Sequence, residues 1–233
     1  MPAHAGILFD VGYCLMDESA RLAHALAWLT EALGREGHPR SGAELDAAYR
    51  AACRRPAPGE ASLLVQMLRS LGIPDGTTAA VRAGVPWDAV PLDVYPETLR
   101  ALRDLRAAGF RLGVLANQPA SARADLVQAG IAALCEGVWL SGAVGLAKPD
   151  PAFFRLAIDA WALDPRRVAY VGDRPDNDVA PARRLGLAAV RLRRGPHADQ
   201  VPRTDAERAD SEARDLTEAA RHLLTWRDSL DAA

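Results

Sequence analysis

RVAYVGDRPDND, at residues 167–178, places a short apolar run directly before a loop that is rich in carboxylates. The apolar run predicts a buried strand, and the Gly172-Asp173 pair then lies at the carboxyl end of that strand. Asp173 and Asp178 are five residues apart with Asp176 between them, so three carboxylates crowd one turn. Such groups repel one another unless a cation is present, and hard oxygen ligands at this density suit Mg²⁺. The other interpretation is an Asx-rich turn that caps the next helix.

Short apolar runs alternate with helical periodicity on both sides of this segment. The predicted strands are Ala5–Phe9, Arg111–Leu115, Gly137–Leu140, Arg167–Val171 and Ala188–Leu192. The predicted helices between and after them are Tyr95–Ala108, Ser121–Ala129, Pro151–Trp161, Asp178–Leu185 and Leu216–Arg227. Continuous apolar strands that alternate with helices predict an α/β fold with a doubly wound parallel sheet. Gly195–Arg214 is polar and lacks periodicity, so we expect an irregular connector there.

The first and second predicted strands are separated by a block that has only helical patterns. Its predicted helices are Arg21–Arg35, Gly42–Arg54, Ala61–Leu71 and a short one at Gly76–Ala83, with Gly/Pro-rich breaks between them. We therefore expect an α/β core domain at 1–16 and 91–233, and an inserted helical domain at 17–90.

Composition places the chain among ordinary globular proteins. It has 233 residues, of which 49% are hydrophobic and 25% charged, with a net charge of −2. That charge argues against nucleic acid or a membrane surface as a partner. Three cysteines without paired spacing favour a reducing compartment. We find no signal peptide and no apolar stretch long enough for a membrane span, so a cytoplasmic location is expected.

The carboxyl ends of parallel strands meet at one edge of a sheet, where ligands bind. The first predicted strand ends in Asp10 and the second in Ala116-Asn117, while Lys148 lies in the loop after the third. Asp10 alone is also compatible with a strand that simply ends in solvent. Lys148 is the single lysine among 28 basic residues. A flexible ammonium can neutralise both a nucleophilic carboxylate and a bound phosphate, and the adjacent Asp150-Pro151 is typical of a helix start.

These residues resemble the motifs of the haloacid dehalogenase-like (HAD) hydrolases, in order and approximate spacing. The first motif is similar to Ile7–Leu15, the second to Val114–Asn117, the third to Lys148–Pro151 and the fourth to Gly172–Asp178. The helical block after the first motif resembles the inserted cap of one subclass of this family. The resemblance thus implies a Rossmann-like core with a helical cap domain.

The resemblance also implies a mechanism. Asp10 attacks the phosphorus of a phosphomonoester, and water hydrolyses the aspartyl-phosphate that forms. Mg²⁺ is held by Asp10, Asp173 and the backbone carbonyl of Gly12, with Asp178 as a further or more distant ligand. Lys148 orients Asp10 and binds the phosphoryl oxygens.

Two departures from the family pattern bear on activity. Gly12 stands where a second aspartate usually protonates the leaving alcohol, and Ala116 stands where a Ser or Thr usually binds the phosphate. A general acid contributes about 10²–10⁴-fold to the rate, so a slow enzyme is expected. Asn117 with nearby backbone N–H groups can partly replace the missing hydroxyl.

Tyr13 and Cys14 also replace the usual Gly-Thr pair. Cys14 is favoured as a small packed residue over a nucleophile.

Three functions remain open at this point. A Mg²⁺-dependent phosphatase for a small phosphorylated substrate is favoured, because Asp10, Lys148, Asp173 and Asp178 are all present. A non-catalytic relative that binds a phosphate ligand or a partner protein is the alternative suggested by Gly12 and Ala116. A 2-haloacid dehalogenase is less favoured, because such enzymes generally lack the carboxylate at the position of Asp173. The sequence leaves monomer and homodimer equally open.

Overall fold

The computed structural model describes residues 5–56 and 62–231. Their contacts divide the chain into two compact units. One comprises Met1–Asp17, Asp93–Ala198 and Pro202–Ala233, and the other comprises Glu18–Leu92 with Asp199–Val201. One predicted Gly/Pro-rich break is Pro56–Gly59, and of it residues 57–59 lie outside the described residues, as does the predicted helix start at Ala61.

The first unit is built on a six-stranded parallel sheet, which confirms the predicted doubly wound α/β core. The strand order is β5-β4-β1-β6-β7-β8. The strands are β1 Gly6–Phe9, β4 Arg111–Ala116, β5 Gly137–Leu140, β6 Val168–Gly172, β7 Ala188–Leu192 and β8 Ser211–Ala213. A separate antiparallel pair, β2 Met16–Asp17 and β3 Asp93–Val94, lies where the chain leaves and re-enters this unit.

Helices connect the strands of this sheet. They are α5 Thr98–Ala107, α6 Ala122–Gln128, α7 Ser141–Val144, α8 Pro151–Trp161, α9 Ala180–Arg184 and α10 Leu216–Asp231. Asp150 caps α8 by accepting a hydrogen bond from the N–H of Ala152, with Pro151 in the first turn, as predicted. Side chains of α8, among them Phe153 and Phe154, pack against Leu8 and Tyr170 of the sheet in the buried core.

The second unit is helical. Its helices are α1 Ser19–Arg35, α2 Gly42–Arg54, α3 Leu63–Ser70 and α4 Asp75–Gly84. Their apolar faces form a core of their own, which includes Leu29, Leu33, Leu45 and Met67, each fully buried. The spacing of these residues at helical intervals is what made the block recognisable in the sequence. No helix of the residues that the structure describes has both the length and the apolar character needed to cross a bilayer.

Strand β1 lies in the interior of the sheet and leads into the site. It is fully buried and pairs with β4 on one side and β6 on the other, with Phe9 level with both Val114 and Val171. The chain winds outward from β1 in both directions, so the strand order reverses here. In open parallel sheets, ligands bind at the carboxyl edge beside such a reversal.

The structure differs from the sequence expectations in two places. The segment expected to be an irregular connector, Gly195–Arg214, contains β8, which adds a sixth parallel strand through its pairing with β7. Three residues of an edge strand are too few to give a periodic apolar signal, so that expectation was wrong. The helix expected at Asp178–Leu185 begins instead as a π-helical turn, Pro175–Val179, followed by α9.

Candidate functional site

Three carboxylates meet at the carboxyl edge of the sheet. Asp10 follows β1, while Asp173 and Asp178 follow β6, and one oxygen of each lies within 4.8 Å of the others. Asp173 and Asp178 are buried and the side chain of Asp10 is 13% exposed. The structure therefore brings together residues that are up to 168 positions apart in the chain. The donor set consists of hard oxygens with a net negative charge, which suits Mg²⁺.

Lys148 places its ammonium against this cluster, and its side chain is only 1% exposed. Its Nζ lies 2.9 Å from Asp10 Oδ1, and it donates to Asp178 Oδ1 at 2.7 Å and to Tyr170 Oη at 2.9 Å. An ammonium has three N–H groups, so each has an acceptor within the chain itself. Burial by itself would lower the pKa of Lys148, but the charges and hydrogen bonds of Asp10 and Asp178 outweigh it and raise that pKa.

The sequence favoured a flexible ammonium at this position, whereas the structure holds it in place. Its main chain is fixed as well, because the Asn117 side chain forms hydrogen bonds with both the N–H and the carbonyl of Lys148. Asn117 Oδ1 accepts from the Lys148 N–H at 2.8 Å, and Asn117 Nδ2 donates to the Lys148 carbonyl at 2.9 Å. The amide predicted to contact phosphate is thus engaged with the loop that carries the lysine. Its neighbour Ala116, also predicted at the phosphate, is fully buried at the end of β4.

Asp178 is held by the turn that carries it. Its Oδ2 accepts hydrogen bonds from the backbone N–H groups of Asp173 at 3.1 Å and Arg174 at 2.9 Å. Its other oxygen accepts from Lys148. Gly172 makes room for this carboxylate, since a Cβ at that position would lie 2.5 Å from Asp178 Oδ2. The glycine of the Gly172-Asp173 pair is therefore required by packing, whatever the chemical role of Asp173.

Asp173 is the carboxylate with the fewest partners. Within residues 5–56 and 62–231, no hydrogen bond or ion pair reaches its side chain, although the residue is 2% exposed. Burial, and then repulsion from Asp178 and Asp10, raise the pKa of Asp173 well above its ordinary value. A buried carboxylate without a donor is costly unless a cation compensates it. This fits a metal ligand.

The loop after β1 curls tightly around one carbonyl. The Val11 oxygen accepts hydrogen bonds from the N–H groups of Cys14, Leu15 and Met16, and buried Gly12 lies inside this turn. The Asp10 N–H in turn donates to the Val171 carbonyl at 2.9 Å, which ties the loop to β6. Burial raises the pKa of the Asp10 carboxyl, and the charge of Lys148 opposes that effect.

Tyr13 and Cys14, the unusual pair in this loop, are both buried. Tyr13 has a φ of 51°, a left-handed conformation that costs a non-glycine residue about 1–2 kcal/mol. Its ring packs against Gly195, where a Cβ would come within 2.3 Å of the ring. Burial raises the pKa of the Cys14 thiol well above its usual value, and the Asp10 charge adds to this. A thiol that stays protonated is a poor nucleophile, which agrees with a packing role.

Sequence reasoning missed Tyr170. This residue is 1% exposed, its hydroxyl contacts Lys148, and it donates to the Leu115 carbonyl at 2.8 Å. A tyrosine inside an apolar strand is typical of a core position, so no local signal distinguishes it. Its contacts depend on which strands become neighbours.

Comparison with known proteins points to one family. A family model described as haloacid dehalogenase-like hydrolase matches residues 5–186. A glyceraldehyde 3-phosphate phosphatase from Methanopyrus kandleri is 34% identical over 67% of this chain and 70% of its own length. A phosphoglycolate phosphatase from Rhodospirillum rubrum is 31% identical over 80% of this chain and 81% of its own length.

A solved structure extends the likeness to the whole fold. The crystal structure of a HAD phosphatase from Thermococcus onnurineus superimposes with a TM-score of 0.63 at 23% identity, covering 94% of this chain and 97% of that one. The four motifs thus meet at one edge of a sheet whose fold and sequence match known relatives. The chain belongs to the haloacid dehalogenase-like hydrolase family.

Proposed function

We propose that this protein is a Mg²⁺-dependent phosphatase for a small phosphomonoester. The observation that supports this best is the buried cluster of Asp10, Asp173 and Asp178, in which Lys148 compensates only part of the negative charge. The relatives named as phosphatases of glyceraldehyde 3-phosphate and phosphoglycolate favour a small phosphorylated substrate.

Mg²⁺ fits the residues present, because Asp173 offers a buried carboxylate whose oxygens form no hydrogen bond or ion pair within residues 5–56 and 62–231. Asp10, Asp173 and the Gly12 carbonyl would hold the ion. Both oxygens of Asp178 already accept hydrogen bonds, so Asp178 would support the site through Lys148 and the backbone of the loop. The bound ion would offset the negative charge between a carboxylate nucleophile and a phosphate.

Asp10 is the proposed nucleophile. One of its oxygens attacks phosphorus, the bond from phosphorus to the leaving oxygen breaks, and an aspartyl-phosphate forms. Water then attacks the phosphorus and releases inorganic phosphate and free Asp10. Lys148 orients the Asp10 carboxylate and attracts the phosphoryl group by its charge. To donate an N–H to the substrate, it would have to release Asp10, Asp178 or Tyr170.

Gly12 cannot protonate the leaving oxygen, so that proton comes from solvent or the substrate. Positioning and charge compensation contribute most of the catalysis in phosphoryl transfer, so activity survives at a reduced rate. Backbone N–H groups near Ala116 take the place of the usual hydroxyl at the phosphate, with Asn117 as a further predicted contact. We also propose residues 17–90 as the cap domain that selects the substrate.

The test is a screen of small phosphomonoesters with and without Mg²⁺, run in parallel on Asp10→Asn. Phosphate release that needs Mg²⁺ and is lost in the variant supports the proposal. Chloride release from a 2-haloacid without phosphate release would establish a dehalogenase instead.

A non-catalytic binding protein is the second candidate, and Gly12 together with Ala116 favours it. The same screen separates it from a phosphatase if it is followed by calorimetric titration with the phosphomonoesters and Mg²⁺. Binding without turnover, equal in the parent chain and Asp10→Asn, would establish this alternative.

A further inference from the structure

The hydroxyl of Tyr170 lies between a cation and a carbonyl, which fixes its hydrogen-bond polarity. A carbonyl can only accept, so the Tyr170 O–H donates to the Leu115 oxygen at 2.8 Å. The Lys148 ammonium can only donate, so the hydroxyl accepts from Nζ at 2.9 Å. The Tyr170 hydroxyl therefore donates one hydrogen bond and accepts another, and both partners lie on elements around Asp10.

The position of Tyr170 in the sheet makes this contact possible. Tyr170 belongs to β6 and Leu115 to β4, and these strands flank β1, which ends in Asp10. The Tyr170 side chain thus links the two neighbours of the strand that delivers Asp10. The ring itself is held by α8, since its centroid lies 5.1 Å from that of Phe154.

The Lys148 ammonium has three N–H groups. Asp10 and Asp178 accept two of them, and the Tyr170 hydroxyl accepts the third. If that third acceptor were absent, a buried N–H would lack a partner, and the ammonium could turn away from Asp10. Asn117 fixes the Lys148 main chain but makes no contact with its Nζ among the contacts described. The direction of the ammonium is therefore set by its three acceptors.

We infer that Tyr170 is a positioning residue, which aims the Lys148 ammonium at Asp10 and Asp178 and thereby orients the Asp10 carboxylate. The catalytic part of this inference rests on the proposed phosphatase function, whereas the positioning part holds for the resting protein. The two parts therefore receive separate measurements.

The first measurement uses the fact that Lys148 is the only lysine in the chain. ¹⁵N-labelling of lysine gives one side-chain ammonium signal in NMR. In the parent protein we expect slow rotation about the Cε–Nζ bond and slow exchange with water. In Tyr170→Phe, which keeps the ring, exchange becomes faster by about tenfold. Fast rotation in the parent protein, or unchanged exchange in the folded variant, would overturn the inference, and the parent spectrum decides even if the variant does not fold.

A matched control is Thr78→Val, which removes another buried hydroxyl. Thr78 is 3% exposed and its Oγ1 donates to the Ile73 carbonyl within the helical unit. This control also removes a buried hydroxyl that donates to a backbone carbonyl, so its stability change serves as the reference for a merely structural hydroxyl. Its Lys148 signal should match that of the parent protein.

The second measurement is steady-state kinetics on the best phosphomonoester from the screen. Tyr170→Phe should lower kcat by roughly tenfold with little change in KM, since the nucleophile is misaligned while substrate binding is retained. Thr78→Val, whose hydroxyl is buried inside the helical unit, should keep kcat. An unchanged kcat in a Tyr170→Phe variant that does show the altered ammonium signal would refute the catalytic part. Absence of phosphatase activity in the parent protein would refute the proposed function and leave the NMR result to decide the positioning.

Discussion

Replacement of Lys148 by arginine keeps the positive charge and changes the size of the cation and the geometry of its donors. The ammonium reaches three acceptors at 2.7–2.9 Å from a side chain that is 1% exposed. A guanidinium is larger and planar, so it cannot place one N–H on each of these acceptors. Overpacking a buried site costs about 1–3 kcal/mol, and a buried acceptor left without its donor costs about 1–3 kcal/mol. A protein near the middle of the usual stability range of roughly 5–15 kcal/mol stays folded after such a change.

The expected result of Lys148→Arg is therefore a folded protein with strongly reduced activity. If only the contact to Asp10 is lost in the transition state, about 1–3 kcal/mol corresponds to a decrease in kcat of roughly 5- to 150-fold. The assay is phosphate release at saturating substrate and Mg²⁺, with the circular dichroism spectrum and the melting temperature measured on the same preparation.

Lys148→Met is the matched control, because it keeps an unbranched chain and removes the charge. It leaves Asp10 and Asp178 without their cation, so both activity and stability should fall further than in Lys148→Arg. The geometric reasoning would be refuted if Lys148→Arg kept kcat within about twofold of the parent while Lys148→Met was inactive. In that case the charge alone would be sufficient.

Three further changes probe the rest of the site. Gly172→Ala places a Cβ 2.5 Å from Asp178 Oδ2, so it should displace that carboxylate and lower both the melting temperature and the activity. Gly76→Ala, which meets nothing within 4 Å, should keep the activity and should not lower the melting temperature. Gly12→Asp should raise kcat on alkyl phosphates, whose leaving groups are poor, by up to about 10²-fold, and an unchanged or lower rate would exclude the missing acid as the cause of slow turnover. The raised pKa of Asp173 means that the metal-free fold favours the protonated carboxyl. The stability that the protonated Asp173 gives to the fold is therefore fully present below about pH 4 and is lost as the pH rises through the raised pKa. Mg²⁺ should therefore raise the melting temperature more at neutral pH than at acidic pH, and a gain that is independent of pH in thermal unfolding would contradict this.

The sequence alone was sufficient to predict the α/β core and to identify the residues at the ends of its strands. Buried parallel strands are continuous apolar runs, so β1, β4 and β6 were visible locally, and each polar residue that follows such a run lies at the ligand edge of the sheet. For the same reason the sequence indicated Asp10, Lys148 and Asp173 as neighbours. Strand β8 was not visible, because three residues at the edge of the sheet are too few to give a periodic apolar signal.

The partners of the polar atoms were decided only by the tertiary structure. Asn117 was predicted as a phosphate contact, and the structure adds that its side chain bonds the main chain of Lys148. Tyr170 was expected in a buried strand, and its hydroxyl also contacts the Lys148 ammonium. Local patterns record whether a side chain is buried, since burial follows from the spacing of apolar residues along one element. They do not record which donor meets which acceptor, because that depends on β4, β1 and β6 lying side by side in the sheet.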